Sequence, residues 1–322
     1  MKAIRIEETG DASVLKLVDV DTPAPRKGEI RVKHHAIGVN FIDTYHRSGL
    51  YPLQLPSGIG MEAAGIIDSV GEGMTRFAVG DRVAYCSGPL GAYAEAHVVE
   101  ASRAVQLPSS ISFDIAAAAT LKGMTARYLL RKTFRVEQRH VVLIHAAAGG
   151  VGQIAVQWAK HLGATVIATV GSDAKVALAK ELGADHVIVS AREDIAKRVR
   201  EIEPQGVHVV YDGVGKDTWE ASLDSLRRLG MMVSYGNASG AVPPIAPLML
   251  ARKGALFLTR PSLEAYTTTT AELDETAADL FDVIAKGAAK IAPPKRYALT
   301  DAAQAHRDLE SRKTTGSLVL TP

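Results

Sequence analysis

Cysteine is almost missing from this chain, and so are a surplus of one charge, a long apolar run and much aromatic surface. The single thiol, Cys86, cannot form an intramolecular disulfide and falls short of a four-cysteine structural zinc site, which points to a reducing compartment. Lys and Arg number 37 against 35 Asp and Glu, a formal charge of +2, too balanced for a protein that coats nucleic acid or an anionic bilayer. Aromatics are only 5% of residues and form no basic, aromatic-rich stripe, which removes the usual stacking platform for single strands. No stretch approaches the roughly 18 uninterrupted apolar residues of a membrane span, and the opening MKAIRIEETGD has no basic segment followed by an apolar one. The expectation is a cytoplasmic protein with no membrane partner. Its 322 residues, 47% of them hydrophobic, suffice for about two cored domains and exclude disorder as the main theme.

Two textures follow one another along the chain. Up to about residue 120, alternating runs such as Glu29-Ile30-Arg31-Val32-Lys33 and Asp81-Arg82-Val83-Ala84-Tyr85 are broken by Gly and Pro clusters, which predicts an irregular, mostly β domain. From about 140, short apolar runs (HVVLIHAA, TVIATVG, HVIVS, HVVYDGV, MMVSYG) alternate with amphipathic stretches near 150–163, 173–183, 192–202 and 217–228. That alternation is the mark of βαβ units and of a parallel sheet covered on both faces. ALFLTR (255–260) reads as a last strand, Thr267 to Thr270 as the entry to a helix near 271–287, and SLVLTP as a closing strand. The tail from about 264 has the β-plus-helix character of the first hundred residues and is placed back with them. The expected fold is α/β, with a β-rich domain (1–124 and 264–322) into which a doubly wound domain (125–263) is inserted.

Between the first apolar strand and the first helix of the inserted domain lies Ala146-Ala147-Ala148-Gly149-Gly150-Val151-Gly152. Glycines there let the backbone turn tightly and approach a pyrophosphate, while the following helix offers unpaired N–H groups to the anion. An A-x-x-G-x-x-G string alone is weak; its place at the opening of the first βαβ unit makes it a dinucleotide loop. An enzyme built for NAD usually has a carboxylate at the end of the second strand. Here Val170-Gly171-Ser172 offers none, and Lys175 follows, a pairing that suits a 2′-phosphate. Asp173 competes with that reading, but beside Ser172 at a helix start it complements the helix N-terminus.

The chain resembles a known family. Val39-Asn40-Phe41-Ile42-Asp43-Thr44-Tyr45, Ser48-Gly49-Leu50-Tyr51, Gly60-Met61-Glu62-Ala63-Ala64-Gly65 and Gly80-Asp81-Arg82-Val83 carry the likeness in the first domain, followed by Leu121-Lys122-Gly123-Met124-Thr125. His145 through Gly152, Tyr235-Gly236-Asn237-Ala238-Ser239-Gly240 and Thr259-Arg260-Pro261-Ser262 carry it onward. These segments are similar to the zinc-free, NADPH-dependent quinone oxidoreductases related to zeta-crystallin, within the medium-chain dehydrogenase/reductase superfamily. The resemblance implies a GroES-like catalytic domain, a Rossmann domain, NADPH in the cleft between them, and a homodimer formed through the last Rossmann strand. It implies cofactor contacts from Asn40, Thr125, the loop Gly149, Gly150, Val151 and Gly152, and from Gly171, Ser172, Lys175, Asn237 and Arg312. One departure stands out: close relatives carry a tyrosine near the adenosine phosphate where this chain has Ser190.

Zinc alcohol dehydrogenases of that superfamily hold their metal with a cysteine and with the histidine of a Gly-His-Glu triplet, and those places here read Asn40 and Met61. Neither is a good zinc ligand, and His34, His35, His46 and His97 do not cluster at metal spacing, so no metal is expected. Without a Lewis acid the substrate should be one whose reduced form is already a stable anion, a quinone or a conjugated enone. Asn40 is then the candidate oxyanion donor, with Tyr45 and Tyr51 as further donors or as a flat wall for a ring. Arg260 would close the far side of the cleft or form an ion pair. NADPH-dependent quinone reduction leads; an enone or alkenal double-bond reductase is the same-class alternative, and a nucleotide-dependent RNA-binding or crystallin-like structural protein the alternative from another class.

Overall fold

The structure, a computed structural model, describes residues 1–311 and 314–322. Two compact units emerge from it: Met1–Met124 with Thr267–Ala285 and Ile291–Pro322, and Thr125–Tyr266 with Lys286–Lys290.

The first unit begins with β1 (Lys2–Ile6), β2 (Lys16–Asp19), β3 (Glu29–Val39), α1 (Phe41–Ser48) and β4 (Ser57–Gly58). It continues with β5 (Glu62–Val70), β6 (Arg82–Tyr85), β7 (Ala96–Glu100), β8 (Ala104–Gln106) and α2 (Phe113–Tyr128), whose last residues from Thr125 belong to the second unit. The second unit supplies β9 (Val141–Ile144), α3 (Gly150–His161), β10 (Thr165–Val170), α4 (Val176–Glu181), β11 (His186–Val189), α5 (Ile195–Ile202) and β12 (Val207–Asp212). After α6 (Trp219–Ser225), β13 (Leu226–Ser234), α7 (Pro247–Arg252) and β14 (Phe257–Thr259), the chain adds α8 (Thr270–Ala285), β15 (Lys295–Ala298), α9 (Ala302–Glu310) and β16 (Leu318–Thr321) to the first unit.

In the first unit, β3 is the organising strand. It pairs antiparallel with β5, β7 and β16, so eleven residues, alternating in burial up to His35 and all buried from Ala36 to Val39, tie the tail of the chain to its beginning. The inward positions Ile30, Val32, Ile37 and Val39 enter one apolar core with Ile59, Ile67, Val83, Leu318 and Leu320. Fully burying such side chains stabilises by about 1.5–3 kcal/mol each. The helix-entry reading of the Thr run holds: Glu272 N–H donates to Thr269 Oγ1 (3.2 Å) and Glu272 Oε2 accepts from Thr269 N–H (3.0 Å), a reciprocal cap.

The second unit is a parallel six-stranded sheet in the order β11-β10-β9-β12-β13-β14. The order reverses direction beside β9, the strand that feeds the glycine loop, which is where sheets of this kind bind their ligands. One expectation needs correcting. The predicted helix near 217–228 ends at Ser225 and the chain turns directly into β13, which begins at Leu226 rather than near Met231. Leu226 is buried and pairs with Val207, and the register then shifts before Met231 meets Val209, with Leu229 at φ +60°. Tertiary pairing therefore overrides the helix-like spacing of LRRL. At the sheet's edge β14 pairs only with β13 among the described residues, and Phe257 (56%) and Leu229 (47%) are exposed.

Candidate functional site

In the second unit the chain leaves β9, buried from Val142 to Ile144, at His145 and turns through Ala146, whose φ of +51° is unusual for a residue with a Cβ. The Ala146 carbonyl accepts the Gly149 N–H (2.8 Å), and Gly149 caps α3. A Cβ on Gly152 would lie 2.3 Å from that carbonyl oxygen, so only glycine lets the helix approach the turn so closely. The N–H groups of Gly150, Val151 and Gly152 open the helix, where no intrahelical acceptor exists for them. Beneath the loop, Thr169 accepts the Ala147 N–H on its carbonyl (2.9 Å) and meets His145 Nδ1 through its hydroxyl (3.0 Å).

His145 Nε2 in turn meets Ser222 Oγ (2.9 Å), which donates to Asp212 Oδ2 (2.7 Å). The order His, Ser, Asp leaves the serine hydrogen on the carboxylate, the reverse of an activated nucleophile, and all three are fully buried. Their work is structural. Asp212 Oδ1 also accepts the N–H groups of Val214 (2.8 Å) and Gly215 (2.9 Å), fixing the turn that leaves β12.

At the carboxyl ends of β10 and β11 the predicted 2′-phosphate residues come together. Gly171 opens into space: a Cβ there would meet nothing within 4 Å. Ser172 is exposed, its carbonyl accepts the Lys175 N–H (3.1 Å), and partial burial holds the Lys175 ammonium below its ordinary pKa. Ser190 folds back, with both its N–H (2.9 Å) and Oγ (3.2 Å) on the Val170 carbonyl. Asp173 stands in the first turn as expected, and it is also paired with Arg192 (2.8 Å). Across the sheet, Asn237 donates to the Gly236 carbonyl (2.9 Å) and accepts from Arg260 (3.2 Å) in the amide orientation that satisfies both atoms. Arg260 also donates to the carbonyls of Ser234 (3.1 Å) and Gly236 (3.0 Å), so it braces this turn. Thr125 is buried at the start of this unit, and Arg312 lies outside the described residues.

The first unit builds a separate polar centre around Asn40, which is buried at the entry to α1. Its side-chain Nδ2 donates to Glu62 Oε2 (2.8 Å), and its backbone N–H donates to Asp43 Oδ2 (2.9 Å). Glu62 is fully buried yet well compensated: Oε1 accepts the Leu121 N–H (2.7 Å) and Oε2 lies 3.4 Å from the Lys122 ammonium. Gly38 makes room for this carboxylate, because a Cβ would fall 2.1 Å from Glu62 Oε2. Tyr45 is buried and Tyr51 half-buried; their rings meet edge-on at 5.3 Å, and the Tyr51 N–H donates to the Tyr45 carbonyl (3.1 Å). Asn40, Tyr45 and Tyr51 thus share one short helix and its exit.

Residue reading alone did not single out Glu62 and Lys122 as functional, although each carries a signal: a charge set into an otherwise apolar strand (EAAGII) and an apolar helix (AAAATLKGM). A second network was invisible. Burial raises the Asp43 carboxyl to about 7 despite its bonds from Asn40 and from Tyr93 Oη (2.9 Å), and Asp43 Oδ1 is buried without a partner. Tyr93 Oη meets His306 Nε2 (3.0 Å), and Arg47, ion-paired with Glu310 (2.7 Å), donates to His306 Nδ1 (3.1 Å). The guanidinium fixes the tautomer: the hydrogen on Nε2 points at Tyr93, whose own hydroxyl donates to Asp43.

The glycine turn, the unpaired helix amides and the open space beyond Gly171 fit a dinucleotide carrying an extra phosphate. A GroES-like β domain combined with a Rossmann domain so equipped defines a two-domain, nicotinamide-dependent oxidoreductase. Residues 26–109 match the alcohol dehydrogenase GroES-like domain and residues 150–282 the family model described as zinc-binding dehydrogenase. The chain is 53% identical to a quinone oxidoreductase of Salmonella typhimurium, covering 99% of this chain and 100% of that protein. It is 45% identical to the 2-haloacrylate reductase of a Burkholderia species, covering 97% and 96%. The crystal structure of Escherichia coli quinone oxidoreductase complexed with NADPH superimposes with a TM-score of 0.98 at 50% identity, covering both chains completely. The chain belongs to the quinone oxidoreductase family of the medium-chain dehydrogenase/reductase superfamily. No helix among the described residues is long and apolar enough to cross a membrane.

Proposed function

We infer that this protein reduces quinones with electrons from NADPH and needs no metal to do so. The observation that carries the reading is Asn40: one amide hydrogen is held by the buried Glu62 carboxylate, which aims the group and leaves the second hydrogen for an acceptor. When bound, NADPH supplies the reducing electrons from its nicotinamide. The second Asn40 hydrogen donates to the oxygen on which negative charge develops, and the half-buried Tyr51 ring, set edge-on against Tyr45, gives a flat acceptor a wall to lie against. Water can return the final proton, since a hydroquinone oxyanion needs no positioned acid.

For the cofactor, Gly149 to Gly152 take the pyrophosphate, Gly171, Ser172 and Lys175 the 2′-phosphate end, and Asn40, Thr125 and Asn237 further contacts, with Arg312 added from the resemblance. We assign catalysis to residues 1–124 and 264–322 and cofactor binding to 125–263. The exposed, apolar edge strand β14 supports an isologous homodimer in which two such strands meet, and the charge balance and single thiol support a cytoplasmic setting.

The likeness to a 2-haloacrylate reductase favours one second reading, reduction of an activated double bond by the same donor arrangement. An acceptor panel separates the two. With NADPH held constant, benzoquinones and naphthoquinones should turn over with higher kcat/KM than 2-alkenals or 2-haloacrylate; the opposite order replaces quinone reduction by alkene reduction.

A further inference from the structure

The carboxyl ends of β10 and β11 hold a cation that the family resemblance does not assign. The backbone register pairs Val170 with Val189, so the segments 171–175 and 190–192 leave the sheet side by side. On the first, Gly171 leaves open space where a side chain would stand. On the second, Ser190 turns back onto the Val170 carbonyl, so nothing large projects from that position. Two residues on, the Arg192 guanidinium reaches across to Asp173, with Nη2 at 2.8 Å and Nε at 3.1 Å from Oδ1 and Nε at 3.4 Å from Oδ2. Its remaining nitrogen lies 3.6 Å from Glu193 Oε1. Both partners are exposed, 58% for Arg192 and 68% for Asp173, so the pair itself contributes little to stability. A guanidinium held over the end of the second strand is, however, the group that accommodates a ribose 2′-phosphate there.

We propose that Arg192 is a specificity-determining residue that binds the cofactor's 2′-phosphate beside Lys175, and that Asp173 holds the guanidinium in place until the phosphate takes it over. The inference rests on the NADPH reading. Guanidinium and phosphate match as a planar fork and a set of oxygens, so the exchange trades one charge-assisted pair for a stronger one. The Asp173 carboxylate then becomes a neighbour of the phosphate, and its charge moderates the preference for NADPH over NADH.

Binding to the full-length protein tests this by calorimetry with NADPH, NADH, 2′,5′-ADP and 5′-AMP. Arg192→Ala should weaken NADPH and 2′,5′-ADP by about three- to tenfold, the range for a partly screened charge-assisted contact, and leave NADH and 5′-AMP within about twofold. Arg192→Lys should recover part of the loss, and Asp173→Asn, which keeps a hydrogen-bond acceptor and removes the charge, should tighten the two phosphorylated ligands by about threefold. If the unmodified protein prefers 2′,5′-ADP over 5′-AMP but Arg192→Ala leaves that ratio unchanged, Arg192 is excluded and the NADPH reading stands. If the unmodified protein shows no such preference, the NADPH reading itself fails. Equal weakening of all four ligands would make Arg192 a structural residue only.

Discussion

Buried titratable groups should make the β-rich unit titrate in two opposed senses. His34 and His306 are buried and neutral, each held down to about 3 from an ordinary 6.5. Burial disfavours charge on both rings, and the Arg47 charge adds to it at His306; His34 Nδ1 donates to the Ala94 carbonyl (2.7 Å) and Nε2 faces the Tyr85 hydroxyl (2.8 Å), while His306 Nδ1 accepts from Arg47. Below pH 6.5 the unfolded chain binds protons that the native state refuses, and stability falls with pH. At pH 5 that is roughly 2 kcal/mol per ring, or about 4 kcal/mol for both, at 1.36 kcal/mol per unit. Asp43 acts the other way. Its carboxyl is raised from 3.8 to about 7, so the native state takes up a proton between those values while the unfolded chain does not. Its stabilisation is fully present below 3.8 and lost as pH rises through 7, so acidification from 7.5 to 5 returns about 3 kcal/mol. Asp43→Asn keeps an oxygen for the Asn40 N–H and the Tyr93 hydroxyl and abolishes the titration. Its loss of stability over that interval should therefore be steeper than the parent's by about 3 kcal/mol. His46, His97, His145 and His208, which burial also holds low, add to the acid loss in both proteins and cancel in the difference. Hydrogen exchange of β3 and β5 amides, corrected for intrinsic rates, reads the opening free energy of this unit directly. Parallel pH profiles for parent and variant would refute the reasoning.

Replacing the proposed oxyanion donor, Asn40→Ala, should lower kcat by roughly 10²–10³-fold and, through its assigned cofactor contact, weaken NADPH as well; unchanged kcat together with unchanged NADPH affinity would remove Asn40 from the site. Lys175→Ala should weaken NADPH by about tenfold and leave NADH nearly untouched; an equal effect on both places the 2′-phosphate elsewhere. A proline at position 258, Leu258→Pro, removes a donor from the edge strand β14 and should shift the sedimentation profile toward monomer before NADPH binding suffers. A parent protein that sediments as a clean monomer at micromolar concentration would contradict the dimer.

The Rossmann unit was legible because its central strands β9, β10 and β12 are almost wholly buried and its helices are buried on one face, which writes a plain alternation into the sequence. The boundary at Leu226 was not, since the spacing of LRRL satisfies a helix and only pairing with Val207 makes it a strand. Asn40 and the tyrosines were legible through a motif confined to one segment. Glu62 and Lys122 reach that site from 22 and more residues away, and only their charge in apolar surroundings marks them. The Arg47–His306 contact spans 259 residues, a separation over which no local pattern carries information. Arg192 opposite Asp173 likewise depends on strand register: the sequence shows two surface charges, and the sheet brings them together.

The most direct test of metal-free, NADPH-driven quinone reduction is turnover after exhaustive chelation. Chelated protein, verified free of zinc by elemental analysis, should oxidise NADPH in the presence of 1,4-benzoquinone at the rate of the untreated protein, and faster than it oxidises NADH. Loss of turnover on chelation that stoichiometric zinc restores, or a preference for NADH, would contradict the account.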